Sequence, residues 1–132
     1  MKTAIRSAVV VGYDGFEAAR RALARAAAAA GAGRCVVVVT ARPPADEGDA
    51  TARESAPLLD EAAELLRERG VRATTQALEG DPAEALIETA REAGAGLIVV
   101  GARGGSYLDR MLRGSVAEKL IARAPCDVLV VR

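Results

Sequence analysis

Short runs of β-branched residues recur along this chain with helical stretches between them, and that alternation most narrows what it can fold into. Val9-Val10-Val11, Val36-Val37-Val38-Val39, Leu97-Ile98-Val99-Val100 and Val128-Leu129-Val130-Val131 are each the length of a short strand. Continuous apolar runs of this kind mark strands covered on both faces. Strands that alternate with helices build a parallel sheet with helices packed on it. The first intervening stretch shows the helical period: Ala19, Ala22, Leu23, Ala26, Ala27 and Ala30 recur at i, i+3, i+4 and i+7, while Glu17, Arg20, Arg21 and Arg25 lie mostly off that stripe.

The remaining boundaries follow from turn and cap signals. A first strand over Ala8–Gly12 is ended by Tyr13-Asp14-Gly15, and the first helix is stopped by Gly31 and Gly33. The second strand, Cys35–Thr40, leaves through Arg42-Pro43-Pro44 into a polar loop at Asp46-Glu47-Gly48-Asp49. A second helix carries Leu59, Ala62, Ala63 and Leu66 inward and ends at Gly70. After it, Val71–Ala77 alternates polar and small apolar residues, the pattern of an edge strand with one wet face. Asp81-Pro82-Ala83-Glu84 is a helix start, with Asp81 as N-cap, Pro82 in the first turn and Glu84 reaching back as in a capping box. The inner face of that helix is Ala83, Leu86, Ile87 and Ala90. Leu97–Val100 is the fourth strand, a helix runs from about Val116 to Arg123, and Asp127–Val131 is the fifth strand. Residues 1–132 therefore read as one α/β domain, a doubly wound parallel sheet.

Composition removes several function classes. The only aromatics are Tyr13, Phe16 and Tyr107, although 51% of residues are hydrophobic, so the core is built from Val, Leu, Ile and Ala. Such small side chains allow close helix-to-sheet packing. Lys+Arg and Asp+Glu are both 18 and interspersed, which leaves no basic footprint for nucleic acid. No apolar run approaches the ~20 residues needed to cross a bilayer. Met1–Arg6 leads directly into a strand without a signal-peptide core, and the expected location is cytoplasmic. Cys35 and Cys126 form no C-x-x-C pair, and both are expected as unpaired, buried thiols, with redox sensing as the other reading. The chain contains no histidine, which excludes a His-based triad, a His general base and the usual zinc ligand sets. Neither catalytic residues nor a protein metal site are expected.

The chemistry concentrates after the fourth strand. Gly101, Gly104, Gly114 and Ser115 stand in the spacing G-x2-G-x9-G-S. Glycines let backbone N–H groups come close to a ligand, and a helix N-terminus offers free donors and the positive end of a dipole, a surface suited to phosphate. That spacing resembles the nucleotide-binding signature of the universal stress protein family. The resemblance covers nearly the whole chain through Val9-Val10-Val11-Gly12-Tyr13-Asp14-Gly15, Glu79-Gly80-Asp81-Pro82-Ala83-Glu84-Ala85-Leu86, Gly94-Ala95-Gly96-Leu97-Ile98-Val99-Val100-Gly101 and Ala124-Pro125-Cys126-Asp127-Val128-Leu129-Val130-Val131-Arg132. It implies five parallel strands in the order 3-2-1-4-5 with helices on both faces, which sets the loops after strands one and four side by side at the crevice where such sheets bind ligands.

By the same resemblance the ligand is ATP, with Mg²⁺ as an optional companion. Asp14 would contact the adenosine part, and Thr40 and Ala41 at the end of strand two would line the adenine pocket. Gly101, Gly104 and Gly114 would cradle the phosphates, Ser115 would donate its hydroxyl and N–H with the Val116 N–H beside it, and Ser106 would reach a phosphate oxygen, while Arg103, a departure from the family, would strengthen an anion contact, fold over the site or stand in solvent. The chain departs from many relatives at Phe16, where Ser or Thr is frequent, at Arg103 and near Thr40, where His is frequent, and at Gly96, where an acid is frequent. Structural readings stand beside these roles. Ser115-Val116-Ala117-Glu118 is itself a capping box, Asp14-Gly15 is a common turn and N-cap, and Gly101 would also serve as a strand terminator.

No G-x4-G-K-[S/T] motif occurs, and no G-x-G-x-x-G follows the first strand, so neither a Walker loop nor a dinucleotide fingerprint is present. The resulting expectation is an ATP-binding stress sensor or regulatory protein rather than an efficient enzyme, acting through a population shift that an unidentified protein partner reads. An interaction module of the same fold without nucleotide, and a weak ATP hydrolase, are the alternatives. The apolar fifth strand, placed at a sheet edge by the implied order, predicts a homodimer through that strand.

Overall fold

The computed structural model describes residues 8–31, 34–42, 50–102 and 115–132. Along the described chain run β1 (Val9–Gly12), α1 (Glu17–Ala30), β2 (Cys35–Arg42), α2 (Ala50–Glu68), β3 (Arg72–Glu79), α3 (Pro82–Ala93), β4 (Leu97–Gly101), α4 (Ser115–Arg123) and β5 (Asp127–Val131). All strand pairs are parallel, and the five strands lie in the order β3-β2-β1-β4-β5, as the resemblance implies. Among the described residues no helix is long and apolar enough to cross a membrane.

The two faces follow from the strand period of two. Val9 and Val11 of β1, Val36 and Val38 of β2 and Val99 of β4 join one layer with α1 and α2, through Ala19, Ala22, Leu23, Ala26, Leu59, Ala62 and Leu66. Val10, Val37, Val39, Ile98 and Val100 point the other way, onto Ala83, Leu86, Ile87 and Ala90 of α3 and Leu120 of α4. Truncating a fully buried side chain such as Leu86 to alanine in a core of this kind costs about 2–5 kcal/mol.

Small residues set the spacing between α1 and the sheet. A Cβ on Gly101 would stand 2.8 Å from the Ala18 carbonyl carbon and 2.9 Å from its Cβ, so the end of β4 touches the backbone of α1 directly. α3 begins as its cap signal predicts: the Asp81 side chain accepts a 3.0 Å hydrogen bond from the Glu84 N–H. The Glu84 carboxylate does not return to the N-cap, however. It pairs with Arg123 and Lys119 of α4, because the crossing helix brings cations within reach and a long-range ion pair competes with the local bond.

Two strand ends differ from expectation. β2 continues two residues past Thr40 to Arg42, and β3 reaches Glu79. The added rungs, Ala41↔Leu78 and Arg42↔Glu79, pair with an edge strand, where the ladder needs no apolar side chain to persist.

Candidate functional site

β2 outruns β1, and the difference in length opens the crevice. β1 ends at Gly12, opposite Val39, and the Tyr13 N–H closes that side by donating to the Val39 carbonyl at 3.0 Å. On the β3 side the Arg42 carbonyl accepts the Gly80 N–H at 2.7 Å. Backbone polar groups of alternate residues face the same neighbouring strand. The N–H and C=O of Ala41 therefore turn toward the β1 side, two residues beyond Val39 and past the end of β1. A donor and an acceptor on one extended residue suit the hydrogen-bonding edge of a purine.

Around these groups lies a cavity of about 150 Å³. Gly12, Tyr13, Asp14 and Phe16 come from β1 and the turn that follows it, Val39, Thr40, Ala41 and Arg42 from β2, Leu58 from α2, and Pro82 and Leu86 from α3. Three of the expected residues, Asp14, Thr40 and Ala41, are thus brought to one wall. Thr40 is 3% exposed and its hydroxyl donates to the Tyr13 carbonyl at 3.3 Å, so this side chain stitches β2 to the β1 turn. One Asp14 carboxylate oxygen accepts the Phe16 N–H at 3.0 Å, which makes Asp14 an Asx turn rather than the helix N-cap. The N-cap of α1 is Phe16, which makes no side-chain cap bond. Gly15 adopts φ +87°, so the turn needs glycine for its conformation, and the end of the Leu58 side chain lies against it, 2.6 Å from where a Cβ would stand.

Behind the turn, Tyr13 is 1% exposed and donates its hydroxyl to Glu61 of α2 at 2.5 Å, while Arg20 of α1 bridges to the same carboxylate at 3.2 Å. Burial, reinforced by the bond to Glu61, pushes the Tyr13 hydroxyl from the usual 10.0 up to about 12. The chain of contacts ties β1, α1 and α2 together directly beneath the cavity.

The phosphate half of the expected site lies mostly outside the described residues. Gly101 is the last residue of β4, buried against Ala18, and does not line this cavity. Ser115 and Val116 open α4. Arg103, Gly104, Ser106 and Gly114 lie outside the described residues. Among the described residues no group of three His, Cys, Asp or Glu side chains converges as a metal site would require. Cys35 and Cys126 are free and half-buried; burial, and then Asp127, push the Cys126 thiol up, away from reactivity.

Phe16, Leu58, Pro82 and Leu86 are the lining residues that motif spacing passes over. A signal existed for two of them. The crossover from β3 to β4 carries α3 across the ends of β2 and β1, so its first turn, Pro82 to Leu86, is bound to overhang them.

A family model described as "Universal stress protein family" matches residues 6–132. The Bacillus subtilis universal stress protein YxiE is 42% identical over 80 residues, which span 61% of this chain and 54% of that protein, so the match covers about half of that relative's length. A universal stress protein of Thermus aquaticus is 35% identical over 133 residues, 94% of this chain and 97% of its own. Among solved structures, the universal stress protein of Archaeoglobus fulgidus in complex with dAMP superposes with a TM-score of 0.78 at 28% identity, covering 97% of this chain and 99% of its own. A universal stress protein in complex with cAMP superposes with a TM-score of 0.76 at 31% identity, covering 95% and 96%.

Proposed function

The chain belongs to the universal stress protein family, and on that premise we propose that it is an ATP-binding regulatory protein of the cytoplasm that changes a partner-facing surface when nucleotide is bound. The observation that carries this reading is the cavity at the ends of β1 and β2, where the backbone edge of Ala41, the Asp14 turn and apolar side chains from two helices surround a space suited to a nucleoside. Two similar proteins of known structure hold adenine nucleotides, dAMP and cAMP. In this chain Asp14 orients the ribose, Thr40 and Ala41 bound the adenine, and the phosphates run toward the segment Gly101 to Ser115 and the opening turn of α4. There Gly104, Gly114, Ser115 and the Val116 N–H form the cradle, with Arg103 and Ser106 reaching phosphate oxygens. Mg²⁺ travels on the phosphate oxygens rather than in a protein cage. The molecule works as a dimer joined through β5, and its output is read by a protein partner.

Calorimetric titration with ATP tests the phosphate assignment. Gly114→Val blocks close approach of the backbone and is expected to cost more affinity than Ser115→Ala, which removes one hydroxyl worth about 0.5–1.5 kcal/mol. Equal ATP affinity in wild type and Gly114→Val overturns the cradle. A wild type that binds neither ATP nor adenosine leaves the interaction module of the same fold as the function, and steady release of phosphate from ATP makes the protein a hydrolase.

A further inference from the structure

We propose that Phe16 is the aromatic platform on which the base of the bound nucleotide stacks, a proposal that rests on the nucleotide-binding reading of the crevice. Phe16 is the only phenylalanine in the chain, and its position is unusual on two counts. It occupies the N-cap of α1, where a Ser, Thr, Asp or Asn would satisfy a backbone donor and where apolar residues are disfavoured, and it makes no side-chain cap bond there. It is also 50% exposed, one of three large apolar side chains left so open among the described residues, with Ile121 and Val130. A phenyl ring that neither caps its helix nor enters the core lines the cavity instead, beside Asp14 and Ala41.

The turn fixes the backbone that carries the ring. Asp14 holds the Phe16 N–H at 3.0 Å, and Gly15 before it turns at φ +87°, a conformation that residues with a side chain rarely adopt. The backbone carrying Phe16 is therefore set before any ligand arrives, which lowers the entropic cost of using the ring as a contact. Leu58, Pro82 and Leu86 of α2 and α3 continue the apolar wall, and Tyr13, the other aromatic residue of the lining, is 1% exposed with its hydroxyl bonded to Glu61, which leaves Phe16 as the exposed aromatic ring among the described lining residues. A flat heteroaromatic base gains both stacking and burial from such a surface, whereas a bare phosphate chain gains neither. Edge recognition by Ala41 and face recognition by Phe16 are separate contributions, and the second depends on the π-face rather than on hydrogen bonding.

The test uses the full chain with adenosine, ATP and inorganic tripolyphosphate as probes. Phe16→Leu keeps an apolar side chain but removes the ring, and Phe16→Ala removes both. Each is expected to weaken adenosine and ATP about tenfold, the low end of the range for base stacking, and to leave tripolyphosphate binding and the thermal midpoint unchanged. Because the chain contains no tryptophan, Phe16→Trp installs the sole indole. It is expected to retain affinity, and its emission should be quenched as adenosine saturates the site. Phe16→Leu binding adenosine as tightly as wild type, or Phe16→Trp emission unchanged at saturation, overturns the stacking role while leaving nucleotide binding intact. A wild type that binds neither adenosine nor ATP overturns both.

Discussion

At the scale of single residues, Asp14 carries the clearest division of labour. Its carboxylate already accepts the Phe16 N–H, so one oxygen shapes the turn while the group borders the cavity. In the proposed site a residue at that end meets the nucleoside. Asp14→Ala is expected to weaken ATP and adenosine by similar free energies, as read by competition binding, and loss confined to ATP would assign Asp14 to phosphate or Mg²⁺ instead. Thr40 has a structural task as well, since its hydroxyl donates to the Tyr13 carbonyl and so holds β2 against the β1 turn at the cavity wall.

Between elements, the Tyr13–Glu61–Arg20 contact joins β1, α2 and α1 under the cavity floor. The Tyr13 hydroxyl is raised above its unfolded value, so the folded state favours the neutral phenol. Its contribution to stability is fully present below the unfolded value of 10.0 and is lost as pH rises through about 12. Denaturant midpoints of wild type and Tyr13→Phe, compared from neutral to strongly alkaline pH, should differ by a constant amount up to about pH 10 and converge above it. Taking the difference cancels the titration of lysines common to both proteins. A gap that persists unchanged across the alkaline range would mean that the hydroxyl does not hold α2.

For the whole molecule, the β5 edge of the sheet is where the proposed dimer forms. Among the described residues β5 pairs with β4 on one side only, and its residues Val128, Leu129 and Val130 are half-buried to exposed, Val130 at 41%. Such an edge offers a row of backbone donors and acceptors flanked by apolar side chains, and it has no Pro or Lys to discourage pairing. Association about a two-fold axis closes it without leaving a further free edge. Light scattering is expected to report twice the 13.6 kDa chain mass. Leu129→Pro, which removes a backbone donor, should shift it toward monomer or aggregate, and Val130→Lys, which changes only an exposed position, should yield folded monomer. Monomeric wild type at high protein concentration refutes the dimer.

What the sequence determined by itself was local. Runs of Val and Ile, the Ala stripe of α1 and the Asp81-Pro82 start of α3 each express a preference that acts within a few residues, and each is realised in place. The strand order was legible only through resemblance of motifs, because periodicity does not say which strands are neighbours. Tertiary structure alone decided where strands stop and which side chains meet. β2 runs on to Arg42 because β3 is there to pair with it, Glu84 turns to Arg123 because α4 lies alongside, and Tyr13 finds Glu61 across 48 positions of chain. The cavity belongs to the same class: Phe16, Leu58 and Leu86 carry no shared motif, and they come together because two crossovers wind opposite faces of one sheet over the uneven ends of β1 and β2. Contacts between residues far apart in sequence depend on chain path, and chain path is set by the packing of the whole core rather than by any segment of it.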